Sequence, residues 1–131
     1  MSSPDPAGRL LLQLAERDAA AVGKMAPDPE FADEIFGFHA QQALEKGAKA
    51  MLAAKGIAFA RSHDLEPLFT QLADAGLIQF SEFEDLLDLT DFAVFYRYQP
   101  FDTLGGRLDR ADVAARVAAF VRSAAELWDA G

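Results

Sequence analysis

The sequence predicts an all-α protein, an antiparallel helical bundle of about five helices, from three observations. Apolar residues recur at helical spacing through most of the chain, Pro and Gly punctuate it where helices start and stop, and no stretch makes a convincing strand. A hydrophobic fraction of 51%, with 11 Phe, is ample for one core in 131 residues, so a single domain is expected over residues 1–131, with residues 1–6 flexible.

Asp5 followed by Pro6 reads as an N-cap with Pro at the first helical position. Leu10, Leu11, Leu14 and Val22 supply the first apolar stripe, and Gly23 is the expected stop. The same start signal, Asp28 and Pro29, opens a long second helix that runs to Lys55 and closes at Gly56. Phe31, Ile35, Phe38, Gln42, Glu45, Lys49 and Leu52 fall on one side of it, and Phe36, Ala40, Ala43, Gly47, Met51 and Ala54 fall opposite. A helix apolar on both sides belongs at the centre of a bundle.

Glu66 and Pro67 begin a third helix with Leu65, Leu68, Phe69 and Leu72, ended by Gly76. Ser81 and Glu84 have capping-box spacing for a fourth, with Phe83, Leu86, Leu87, Val94 and Phe95 inward and Glu82, Glu84, Asp85, Asp88 and Asp91 on an acidic face. Pro100 stops it, since proline removes a backbone donor and disfavours helical geometry in Gln99. After a loop containing Gly105 and Gly106, Asp109 and Asp112 open a last helix whose Val113, Val117, Phe120, Val121, Ala124 and Trp128 repeat at helical spacing.

The composition narrows the chemistry. With no Cys, thiolate nucleophiles, disulfides and Cys-based zinc sites are excluded, and no metal or other cofactor is expected. Residues 1–8 lack a signal sequence's basic start and apolar run, and no stretch is long and apolar enough to span a bilayer, so a cytoplasmic location is expected. A net charge of −9 repels a phosphate backbone and argues against general nucleic-acid binding. Its distribution is uneven: Lys46, Lys49, Lys55 and Arg61 face only Glu45 in residues 36–63, a basic island of +3 in a chain that is otherwise −12.

That island contains the sharpest feature, a line of Phe38, Gln42, Glu45 and Lys49 with His39 and Lys46 along its flank. Burying such groups without partners costs about 1 to 3 kcal/mol each, more for the charges, so the line must face a polar seam, a ligand or another subunit. As a structural network, Glu45 would pair with Lys49 and Lys46 would reach an acid of the fourth helix. As a functional one, it would bind an anion or nucleotide. His63 and Asp64 are read as organising the start of the third helix, His63 being hydrogen-bonded inside the bundle, with general acid-base work beside Arg97 as the alternative. Tyr96, Arg97 and Tyr98 either finish the core or place Arg97 against a phosphate or base. The acidic run of the fourth helix reads as a solvated face, and Gly105-Gly106 lacks the Lys-Ser/Thr that would follow in a phosphate-binding loop.

The run Phe38-His39-Ala40-Gln41-Gln42-Ala43-Leu44-Glu45-Lys46-Gly47-Ala48-Lys49-Ala50 resembles the signature helix of the HEPN domain family. Gly56, then Ser62-His63-Asp64-Leu65, then Tyr96-Arg97-Tyr98 with Pro100 follow in the family's order, so the resemblance covers residues 31–100. It implies a helical bundle, usually homodimeric, often encoded beside or fused to a minimal nucleotidyltransferase, and proposed in several branches to bind nucleotides. Ribonuclease members of the superfamily place an Arg four to six intervening residues before a His. Ala32, Asp33 and Glu34 occupy those positions before His39, and Gly56, Ile57 and Ala58 before His63; Arg61 stands too close to His63 to reproduce the spacing. The expectation is a noncatalytic HEPN homodimer that binds a nucleotide or a nucleotidyltransferase partner through His39, Gln42, Glu45, Lys46, Lys49, His63 and Arg97. Its alternatives are a toxin-like ribonuclease with an atypical active site and a dimerisation or interaction scaffold.

Overall fold

The computed structural model describes residues 3–59, 61–91 and 109–130. The described residues contain no strand and form four α-helices, α1 (Ala7–Met25), α2 (Asp33–Ala54), α3 (Leu65–Asp74) and α4 (Arg110–Ala130), and two 3-10 segments, Phe80–Glu82 and Glu84–Leu89. The expected Val94, Phe95, Tyr96, Arg97, Tyr98, Pro100, Gly105 and Gly106 lie outside the described residues.

Asp5 does open α1: its carboxylate accepts the Ala7 N–H at 3.0 Å while Pro6 already has helical angles. Asp5 is itself held, its N–H donating to Ala53 O at 2.9 Å. Gly23 does not stop the helix, which continues to Met25. A glycine ends a helix by taking a positive φ; Gly56 (67°) and Gly76 (75°) do so, and Gly23 does not. At both true stops the next two N–H groups fold back onto the last turn: Gly56 to Ala53 O and Ile57 to Leu52 O, then Gly76 to Ala73 O and Leu77 to Leu72 O.

The second helix starts later than Asp28-Pro29 suggests. Asp28 caps only a single turn, its carboxylate accepting from Glu30 N at 2.9 Å, and Ala32 is extended (φ −68°, ψ 153°) before α2 begins at Asp33. A residue from the far end of the chain holds this corner: Arg110 donates to Met25 O (2.6 Å), Phe31 O (2.8 Å) and Asp28 O (3.1 Å), reaches Asp33 at 3.2 Å, and lies over the Phe36 ring. Carbonyls bound by a guanidinium need no helical N–H, which is why the chain can turn here instead of continuing as helix.

Asp64 caps α3 by accepting the Glu66 N–H at 3.1 Å. The capping box of the fourth element does not form: neither 3-10 segment has a side-chain cap, and residues 80–89 coil tightly instead of opening an α-helix. Of the expected inward residues Leu86 is buried and Phe83 and Leu87 are half-buried against the core, and Leu89, which was not expected there, is buried with them. In α4, Asp109 caps at 3.1 Å to Asp112 N, and all six apolar residues of the expected stripe are buried.

The contacts give the directions. Asp5 meets Ala53 while the end of α1 meets the start of α2, so these two are antiparallel. Arg110 sits at the start of α2 and Trp128 Nε1 donates to Ala50 O near its end (2.9 Å), so α4 runs along α2 in the same direction. The core forms where α1, α2, α3 and α4 meet, with Phe69, Phe83 and Phe120 in a ring cluster at centroid distances of 5.2 to 5.4 Å. Among the described residues no helix is long and apolar enough to cross a membrane.

Candidate functional site

Beyond its first turn α2 is buried except for Ile35, Phe38, His39, Gln42, Lys46, Lys49 and Ala54, and all but the last lie on one narrow stripe. The expected seam is therefore half-exposed, and it divides into two networks.

On the α1 side Asp18 holds two partners. Lys46 Nζ donates to Oδ2 at 2.8 Å, and His39 Nδ1 lies 3.0 Å from Oδ1, with the Phe38 ring edge-on to the imidazole at 5.4 Å. Lys46 thus reaches an acid of α1, not of the fourth element, because α1 is the helix packed along this flank. On the opposite side Glu45, 4% exposed, accepts from Gln41 Nε2 (3.0 Å) and Lys49 Nζ (3.1 Å) and stands 3.2 Å from His63 Nδ1. The expected Glu45–Lys49 pair is present, and Lys49 also lies over the Phe59 ring at 5.7 Å. Gln42 joins the Glu45 network by donating to Gln41 Oε1 at 2.7 Å.

His63 is hydrogen-bonded as expected but not inside the bundle: its side chain is 81% exposed at the seam's edge. The chain rises there to cap α3 through Asp64, and the His63 carbonyl, not its ring, is what the buried Gln41 amide grips, at 2.8 Å. Arg97 lies outside the described residues.

The structure adds Asp18, Gln41 and Phe59 to the seam. Asp18 had a signal, since it continues the spacing of Leu11 and Leu14 and so falls on the face that α1 buries. Gln41 had one in its position four residues before Glu45. Phe59 had none, because its place depends on the course of the chain after Gly56.

Asp18 and Glu45 balance Lys46 and Lys49, so the basic island of the sequence is neutralised where it meets the seam. A buried carboxylate is tolerated only when paired and hydrogen-bonded, and Glu45 has three such contacts. Ionised carboxylates only accept, so each imidazole presents Nδ1–H to its acid. Each Lys ammonium has three donors and spends one on its carboxylate.

Elsewhere, a cleft of about 540 Å³ opens between the end of α3, the 3-10 segments and α4, lined by Met51, Leu77, Ile78, Phe83, Phe120 and Arg116 and by no seam residue. Arg116 is committed to Asp85 (2.7 and 2.9 Å) and to Glu82 O (2.6 Å). Its guanidinium holds the Asp85 carboxyl below the usual carboxylate range, and Asp85 in turn raises Arg116. Burial, then the charges of Asp88 and Asp64, push Asp91 up. No group of three or more His, Cys, Asp or Glu among the described residues could hold a metal ion.

A family model described as HEPN domain matches residues 9–128, a wider span than the signature motifs cover. No curated protein and no solved structure matches the chain.

Proposed function

Because the chain belongs to the HEPN domain family, we propose that it is a noncatalytic member that acts by binding a nucleotide through the α2 seam. One observation carries this reading: the seam's acceptors are turned inward while its cations keep donors in reserve. Asp18 and Glu45 are engaged by their own chain, Lys46 and Lys49 each retain two N–H donors, the Phe59 ring lies under Lys49, and the Phe38 ring stands edge-on to His39. Such a surface suits a ligand that brings acceptor oxygens and a flat base, as a nucleotide does. The working unit is proposed to be a homodimer, and a minimal nucleotidyltransferase is the partner the family suggests.

Calorimetric titration with ATP and GTP tests the ligand. Binding that Lys46→Ala and Lys49→Ala weaken supports it, and no heat up to about millimolar nucleotide rejects it. Co-expression with a nucleotidyltransferase encoded alongside, followed by size-exclusion chromatography, tests the partner and the dimer together.

RNA cleavage is the second reading, and the His63–Glu45 contact is what favours it. A carboxylate on Nδ1 with Nε2 toward solvent is a general-base arrangement, and Lys49 stands beside it to face developing negative charge. Purified protein that degrades RNA, with the activity lost in His63→Ala, would establish this reading; intact RNA excludes it.

A further inference from the structure

The seam contains one arrangement twice. Asp18 holds Lys46 and His39; Glu45 holds Lys49 and His63. In both, the carboxylate takes the imidazole at Nδ1, which fixes the tautomer: a neutral ring so held carries its proton on Nδ1 and presents a bare lone pair at Nε2. A phosphate oxygen cannot accept from that nitrogen. Once the ring is protonated, Nε2 becomes a donor and the ring becomes a cation, while the Nδ1 bond to the carboxylate strengthens.

The charges point the same way. Two carboxylates and two ammonium groups cancel, so with neutral imidazoles the seam carries no net charge, and it gains one positive charge with each proton. The groups facing His39 are Asp18 on α1 and Lys46 on α2. Those facing His63 are Glu45 and Lys49 on α2, with Asp64 next to it at the head of α3. Both rings are open to a ligand, His39 at 36% exposure and His63 at 81%. Lys46 and Lys49, three residues apart, bring the two triplets onto adjacent turns of one helix face.

We propose that the seam is a proton-linked anion site: a phosphate-bearing ligand binds together with protons taken up at the Nε2 atoms of His39 and His63, so acid strengthens binding. This rests on the nucleotide-binding reading and specifies its ligand chemistry as anionic phosphate oxygens that accept from imidazolium and ammonium donors.

The test is calorimetry with inorganic sulfate, whose double charge does not change across the range, and with ATP in parallel, at about pH 5.5 and about pH 8. Each is repeated in buffers of different ionisation enthalpy, which reads the number of protons taken up. The expected result is net proton uptake and an affinity about tenfold higher at the acid end for each imidazole engaged. In the H39Q/H63Q double variant the pH dependence for sulfate should disappear. Binding without proton uptake, or a pH dependence that survives in the double variant, overturns the proposal and leaves nucleotide binding standing. Absence of binding at both pH values for both probes overturns the two together. Sulfate binding as ATP does, with equal dependence, assigns the site to a bare anion, and binding of ATP alone assigns it to the nucleotide; proton uptake is required in either case.

Discussion

Arg110 contributes more to the fold than its place at the edge of a helix suggests. Its two terminal nitrogens serve three backbone carbonyls and Asp33, with the guanidinium over Phe36 and its side chain 15% exposed. Arg110→Met should lower stability by about 2 to 4 kcal/mol, measured by urea denaturation, because carbonyls at a half-buried corner lose charged donors. Arg110→Lys should recover only part of this, since one ammonium cannot span the same acceptors. The glycines of α1 give an opposed pair. A Cβ at Gly8 would collide with the Trp128 ring and stand 2.6 Å from Ala53 Cβ, so Gly8→Ala should cost about 1 to 3 kcal/mol. At Gly23 nothing lies within 4 Å, so Gly23→Ala should stabilise by about 0.5 to 1 kcal/mol. Thermal melts of the two variants should move in opposite directions. The sequence does not show which of these glycines is crowded, since both occupy a helical stretch; what separates them is which neighbours the fold brings within reach of each Cα.

The elements divide into those written locally and those imposed from elsewhere. The caps at Asp5, Asp64 and Asp109 and the stops at Gly56 and Gly76 depend on residues within a turn or two, so their sequence signals were sufficient. The start of α2 and the 3-10 geometry of residues 80–89 depend on partners far along the chain, Arg110 in one case and Arg116 in the other, and local pattern could not show them. The candidate site follows the same division. Glu45 and Lys49 were legible as an i, i+4 pair, whereas the acid for Lys46 had to come from knowing which helix lies beside α2. Where the 3-10 segment ends, Asp91 carries a pH signature. Its carboxyl is raised by burial first and then by Asp88 and Asp64, so the native state binds its proton more tightly than the unfolded chain. Stability from this group is therefore present at acid pH and is lost as pH rises from the ordinary carboxylate value through the raised one. Asp91→Asn should stabilise at neutral pH, and the gain should vanish in chemical denaturation below about pH 4.

For the molecule as a whole, α1 and α4 meet on α2. Trp128, near the end of α4, packs on Gly8, lies under Arg9 at 5.2 Å and bonds to α2 through Ala50 O. It is the one Trp of the chain and 6% exposed, so its fluorescence reports the joining of α1, α2 and α4 together. If the bundle unfolds as one unit, the emission red-shift and the loss of far-UV helical signal should share a single urea midpoint; an earlier red-shift would show α4 leaving while α1 and α2 persist. Trp128→Phe should lower the stability read from the far-UV urea transition by about 1 to 2 kcal/mol, the lost hydrogen bond and volume combined.

The corner held by Arg110 also orders events in time. Its acceptors at Met25, Asp28, Phe31 and Asp33 lie 77 to 85 residues upstream of the guanidinium. During synthesis the ribosome releases α1 and α2 long before it has made the residue that fixes how they turn into one another. The hairpin can collapse early on its apolar faces, but the final shape of its bend waits for α4, so that helix completes the geometry of the first connection.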